Sequence, residues 1–405
     1  MIFDFPVDRT NTDSVKWNMC ERAYISSNPE AEPFWVADMD FPLEEHIKAK
    51  GLELANLGVY GYPEHHDITG SVASWLERKH SWHVESNKIL YTMGLLHGIA
   101  LAINLFTNEG DTILVPSPTY RPFRALCENN NRIMLDHELG YDDGVFYLDR
   151  DRFLEDAKRS KMILFCSPHN PSGLVFTESD LKFVLKCAKD NNIPVLSDEI
   201  HADLVHTNAI HIPMGKANET IGAKCITYMA PSKTFNVAGE HAGFAIFSDE
   251  QMKETFENKQ KGLWLTSPGI LIGELTEEAY NKGLEYNLEL CQYLTDNARI
   301  IKEFLKDNCP EIKFVNGEAS FVTFLDCSAI YDKAKAKVEA NPEQYPGGMG
   351  GGILSRFFGV NASVAMNDGT WFGPQYYNFV RFNYGTSRER VINALERMAK
   401  SIKEL

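Results

Sequence analysis

The stretch Ala230-Pro231-Ser232-Lys233-Thr234-Phe235-Asn236 decides the reading of this chain. It follows an apolar run over 224–229 that reads as a short buried strand, so Ser232 and Lys233 fall just past a strand's carboxyl end. In α/β folds that rim is where small molecules bind. A lysine there, flanked by a hydroxyl and an aromatic ring instead of other charges, is open to desolvation, and a desolvated amine attacks carbonyl carbons. On these residues alone, a surface lysine in a turn stands beside that reading.

Outward from Lys233, strand and helix patterns alternate from residue 46 to about 281, which predicts a mostly parallel sheet covered by helices on both faces. Candidate strands are 89–92, 112–115, 132–135, 162–166, 193–197, 224–229 and 242–247. A helix is expected after Thr177, with Asp180 completing a capping box and Leu181, Val184, Leu185 and Ala188 on one face. Five of these strands deliver unusual residues at their carboxyl ends: Gly94-Leu95-Leu96, Tyr120, Ser167-Pro168-His169-Asn170-Pro171, Asp198-Glu199-Ile200-His201 and Ser232-Lys233. Their convergence on one rim predicts a binding site.

The flanks read differently. Residues 1–45, interrupted by Pro29, Pro33 and Pro42, are expected to form an arm lying on the rest of the fold. Its segment Trp35-Val36-Ala37-Asp38-Met39-Asp40-Phe41 is either a substrate-facing loop or a docked strap with its carboxylates in solvent. Residues 282–405 mix long helices (284–307, 388–405) with short strands (320–326, 379–383), the pattern of a smaller α+β domain. Between these lies a glycine-rich segment, 347–352, that fits no nucleotide fingerprint and is expected to be a loop over the site.

Composition narrows the function. The 405 residues carry 40 basic and 56 acidic side chains, a formal charge of −16 that disfavours nucleic acid and anionic membranes as partners. No apolar run is long enough to span a bilayer, and no signal segment is read at the start, so a cytoplasmic location is expected. Eight cysteines without a C-x-x-C pair and twelve histidines without H-E-x-x-H spacing predict reduced thiols and no metal centre.

Taken together, S-K-T-F-N around Lys233, Ser167-Pro168-His169-Asn170-Pro171-Ser172-Gly173, Asp198-Glu199-Ile200-His201-Ala202-Asp203-Leu204, Ala37-Asp38-Met39-Asp40-Phe41 and Val380-Arg381-Phe382-Asn383 resemble the fold-type I pyridoxal-phosphate enzymes. Within that superfamily the similarity is to the MalY/PatB branch of cystathionine β-lyases, or C–S lyases, and it runs nearly end to end. The resemblance implies a large cofactor-binding domain over 46–281 and a small domain over 282–405. It implies that Lys233 condenses with the cofactor's aldehyde and later takes the substrate's Cα proton, and that Asp198 pairs with the protonated ring nitrogen. Tyr120 would stack on the ring, with Asn170 and His201 close to its hydroxyl side. Gly94, Leu95, Leu96 and Ser232 would hold the phosphate, helped by Tyr62 from the neighbouring subunit of a homodimer. Arg381 and Asn170 would bind the substrate's carboxylate, beside Ala37 and Asp38. Two departures, Ala230 where relatives often have a serine and His241 near a usual arginine, predict weaker or pH-sensitive phosphate binding. The expected reaction is β-elimination of L-cystathionine or another S-substituted L-cysteine to a thiol, pyruvate and ammonia. An aminotransferase would use the same residues and remains the alternative.

Overall fold

The computed structural model describes residues 2–20, 28, 30–64, 67–347 and 351–405. Its centre is a seven-stranded sheet: β1 (Ile89–Thr92), β2 (Thr112–Ser117), β3 (Ile133–Glu138), β4 (Met162–Cys166), β5 (Val195–Asp198), β6 (Cys225–Met229) and β7 (Gly243–Phe247). The spatial order is β1-β7-β6-β5-β4-β2-β3. Strands β6, β5, β4, β2 and β3 run parallel, and β7 is antiparallel to both its neighbours.

The strands are apolar throughout because both faces are covered. Alternate residues serve two separate cores. Leu114, Ile163, Phe165, Val195 and Cys225 pack with the helix Glu178–Asp190 on one face. Ile113, Leu164, Leu196, Ile226 and Tyr228 pack on the other with the helices Leu95–Phe106 and Glu250–Leu263. The expected capping box is formed: Thr177 accepts from the Asp180 N–H while the Asp180 carboxylate accepts from the Thr177 N–H. Strand β3 runs three residues past its predicted end. It is paired only with β2, at the sheet's edge, and Asp136, His137 and Glu138 interrupt the apolar run that would have marked it.

A second, antiparallel sheet consists of β8 (Lys313–Phe314), β9 (Val322–Asp326), β10 (Asn367–Asp368) and β11 (Phe379–Asn383), in the order β8-β9-β11-β10. The helices Leu284–Asn308 and Arg388–Lys403 pack beside it, burying Leu290, Leu294, Ile301, Val391, Leu395 and Met398. Arg381 therefore sits mid-strand in a sheet separate from the one that carries Lys233. Of the glycine-rich segment, 348–350 lie outside the described residues, as does Pro29 of the arm.

The arm lies on the smaller part of the fold. Its strand Glu32–Pro33 pairs in parallel with Val364–Ala365, and Phe3 packs among Phe41, Tyr286 and Tyr293. The expectation of solvated carboxylates in this arm fails for Asp40, which is 1% exposed. Its carboxylate contacts Arg9 at 2.6 Å, Lys16 at 3.0 Å and Arg390 at 3.0 Å. Burial alone would disfavour the ionised form, yet the three cations outweigh it and hold Asp40 below the usual carboxylate range. Spacing along the chain gave no sign of this cluster, because Arg390 arrives from the far end of the sequence. Lys16 is itself buried, so Asp40→Asn leaves it under-compensated. That substitution is expected to cost about 3 kcal/mol of stability, read as a shift in the urea midpoint at constant slope. A change within about 0.5 kcal/mol would remove the strap's ionic anchor from the account.

Candidate active site

Four strand ends and one helix start converge on a single pocket. It is lined by Gly94, Leu95, Leu96, Tyr120, Asn170, Asp198, His201, Ser232, Lys233 and, from the arm, Ala37, with Cys166, His97 and His241 among the remaining wall residues. Of the residues singled out in the sequence, Arg381, Asp38 and Tyr62 lie outside this lining. Arg381 is one contact away, donating from Nη1 to Asn170 Oδ1 at 3.1 Å. Asp38 is turned to the Arg9 guanidinium, accepting at 3.1 Å on both carboxylate oxygens. Tyr62 is fully exposed on the loop before the helix Ile68–His80.

Lys233 sits in a one-turn helix, Pro231–Thr234, directly after β6. Proline opens this turn with no N–H to waste, which suits the first helical position. The Lys233 ammonium donates to the Ala37 carbonyl at 2.6 Å. Burial brings the amine down from 10.5 to about 8, with Asp38 and Asp198 opposing and Arg381 adding to the shift. Asp198, the last residue of β5, is 4% exposed and accepts the Ile200 N–H at 3.0 Å. Burial pushes its carboxyl up to about 6. A cation held opposite would reverse that shift.

His201 is also buried, which brings its imidazole down to about 3 and keeps it neutral. Nδ1 meets Ser320 Oγ at 3.1 Å, while the buried Nε2 has no hydrogen-bond partner among the described residues. An unpaired buried ring nitrogen beside a pocket is a polar group waiting for a ligand. Tyr120 stands edge-on to Phe123, and burial raises its phenol. At the opposite end, Gly94 precedes the helix Leu95–Phe106 with φ +80°, a conformation that favours glycine, and His241 packs against it. This helix start, with Ser232 nearby in the lining, has the donor chemistry for a phosphate.

Several contributors were not legible as site residues. Asn236 closes the Lys233 turn in the left-handed region, φ +57°, and its side chain bonds the backbone of the strap three times: from the Met39 N–H, and to the Met39 and Phe41 carbonyls. Its place in S-K-T-F-N marks a turn, where asparagine tolerates this conformation, but not what it holds. Asn367 Oδ1 accepts from Arg381 Nη2 at 2.7 Å. Asp203 accepts from Thr234 Oγ1 at 2.7 Å, from Trp75 Nε1 at 3.0 Å and pairs with His80 at 2.8 Å, bracing the lysine turn from behind.

Known proteins resemble the chain over its whole length. The profile of the family "Aminotransferase class I and II" matches residues 37–398. Cystathionine beta-lyase PatB of Bacillus subtilis is 30% identical over 405 residues, covering 99% of this chain and 100% of that one. Among solved structures, a PLP-bound putative aminotransferase from Clostridium difficile superposes with a TM-score of 0.89 at 28% identity, covering 99% of each chain. Cystalysin from Treponema denticola, which contains pyridoxal 5'-phosphate, gives 0.88 at 26% identity, covering 99% of this chain and 98% of that one.

The depressed Lys233 has a direct readout. A lysine with its pKa lowered to about 8 is mostly charged below that pH and mostly neutral above it. Reductive trapping of an aromatic aldehyde on Lys233 in the cofactor-free protein, located by peptide mass, is therefore expected to rise through pH 8 and level off by about pH 9. A yield still climbing through pH 10 would mean that burial does not depress this amine.

Proposed function

The chain belongs to the aminotransferase class I and II family, and on that premise we propose that it is a pyridoxal-phosphate-dependent carbon–sulfur lyase. It removes the thiol from L-cystathionine or another S-substituted L-cysteine by β-elimination. The observation that carries the cofactor dependence is the pairing in one pocket of a buried lysine, lowered to about 8, with a buried carboxyl raised to about 6 that makes no direct ion pair among the described residues. Both suit this cofactor. Lys233 has the amine its aldehyde needs, Asp198 the charge its ring nitrogen needs, and Gly94-Leu95-Leu96 with Ser232 the donors its phosphate needs. Tyr120 would lie against its ring, and the His201 Nε2 and the Asn170 amide would hold its polar substituents. When bound, the cofactor supplies an electron sink that stabilises negative charge at the substrate's Cα.

The remaining chemistry belongs to the side chains. Arg381 holds the substrate's α-carboxylate. Its guanidinium is oriented beforehand by the Trp35 carbonyl at 2.7 Å, Asn367 and Asn170. Lys233, once neutral, takes the Cα proton. The Cβ–S bond then breaks with its electron pair leaving on sulfur, and the freed enamine is hydrolysed by water to pyruvate and ammonia. Burial of Asp198, His201 and Tyr120 keeps the pocket's own proton inventory simple: the phenol stays protonated and the imidazole neutral around pH 7.

The same reading covers the organisation of the chain: an arm over 1–45, a cofactor-binding domain over 46–281 and a small domain over 282–405 that carries Arg381. It works as a homodimer in which Tyr62 reaches the partner's phosphate site. Support for this comes from the exposed apolar side chains Leu57, at the end of the helix Glu45–Leu57, and Val59, Tyr60 and Tyr62 on the loop after it. A cytoplasmic setting accords with eight free cysteines and with the absence, among the described residues, of any helix long and apolar enough to cross a membrane.

The relatives include lyases and a putative aminotransferase, and on this reading Lys233, Asp198 and Arg381 would serve either reaction. The lyase is preferred because the full-length match to PatB carries it. Purified protein with added cofactor and L-cystathionine, and no 2-oxo acid, is expected to release pyruvate and homocysteine over many turnovers. Turnover only after a 2-oxo acid is added would assign an aminotransferase instead. Arg381→Lys is expected to lower kcat/KM on the order of tenfold or more, because a point charge cannot reproduce the planar fork.

A further inference from the structure

A second compartment lies against the first. Thr119, Arg121, Arg124, Trp371 and Phe372 line it. The two share one wall. The Thr119 N–H donates to the Phe372 carbonyl at 2.9 Å, the next residue, Tyr120, faces the Lys233 pocket, and the Phe372 ring lies against Arg381. A substrate whose α-carboxylate rests on Arg381 therefore has this compartment as its neighbour across Phe372.

Its two arginines differ. Arg124 is already committed, with Nη2 contacting both carboxylate oxygens of Asp136 at 2.8 and 3.0 Å. Arg121 makes no ion pair with a carboxylate among the described residues. Its guanidinium stacks instead on the Trp371 ring, 4.4 Å from the centroid. Stacking holds the planar group in place while its N–H edges remain able to donate, so little side-chain freedom is lost when an anion arrives. In a chain of charge −16 an anionic substrate is repelled as a whole and needs a local cation to be retained.

We propose that Arg121, held on Trp371, selects the leaving thiol: the compartment receives the far end of the S-substituent and favours one bearing a carboxylate over a neutral alkyl group. This rests on the carbon–sulfur lyase reading for its chemistry, though its binding test stands apart from turnover.

The probes are L-2-aminopimelate and L-2-aminoheptanoate. These are isosteres of S-(2-carboxyethyl)-L-cysteine and S-propyl-L-cysteine in which a methylene replaces sulfur, so neither can lose a thiol. Calorimetry on the holoenzyme is expected to show the dicarboxylate binding more tightly. Arg121→Gln should weaken it roughly tenfold while leaving the neutral isostere within about twofold, and Arg121→Lys should retain part of the preference. The kcat/KM ratio of the two parent thioethers should fall in step. Equal loss for both isosteres, or a preference that survives Arg121→Gln, would overturn the assignment. A calorimetric preference that depends on Arg121, with no pyruvate from either thioether, would uphold the anion site and refute the lyase.

Discussion

The strap from Trp35 to Phe41 has no sheet to complete its backbone hydrogen bonds, and the way those carbonyls are satisfied fixes the geometry of the site. Buried carbonyls need partners. Arg381 donates to Trp35, Asn383 to Val36 and Asp38, Lys233 to Ala37, and Asn236 to Met39 and Phe41. Lys16 donates to the Asp38 carbonyl as well. Two of these donors come from the turn after β6 and two from β11, so one short extended segment ties the lysine's sheet to the arginine's. The spacing between Lys233 and Arg381 is set by a backbone that belongs to neither sheet. Asp40 then locks the strap against Arg9, Lys16 and Arg390 in a place water does not reach.

The acidic residues at and just after the end of β5 meet unequal surroundings. Glu199 accepts from Ser197 Oγ and the Met214 N–H, both at 2.8 Å, and meets His211 at 2.7 Å. Asp203 has Trp75, His80 and Thr234. Burial penalises its charge, but these partners prevail and hold it below the usual carboxylate range. Asp198 accepts one N–H and faces the pocket, and burial raises its carboxyl against the opposing Ile200 N–H and Lys233. Thr234 joins the two sites, since it follows Lys233 and donates a hydrogen bond from its hydroxyl to Asp203.

The elements read most easily from the sequence were those whose signal is local. Apolar runs such as Met162–Cys166 and Cys225–Met229 announce buried strands, and Thr177 with Asp180 announces a helix start. The rim residues Gly94, Tyr120, Asn170, Asp198 and Lys233 were legible because a parallel sheet puts successive strand ends at one edge. Strand β3 outruns its apolar signal because edge exposure admits charge, and the burial of Asp40 leaves no local signal because its partners lie 24, 31 and 350 residues away.

Local pattern alone carries the alternation that builds a parallel sheet, the order in which chemistry-bearing residues leave it, and the resemblance to a known family. Those properties reside in periodicity and short motifs. Packing sets the rest: which carbonyl Lys233 touches, that Asn236 and Asn383 grip one strap from two sides, that Asp198 lacks the partners Asp203 has, and that Arg121 lies on Trp371. Each of these depends on burial and on contacts between residues far apart in the chain, and desolvation is a property of the surroundings that no local stretch of sequence encodes.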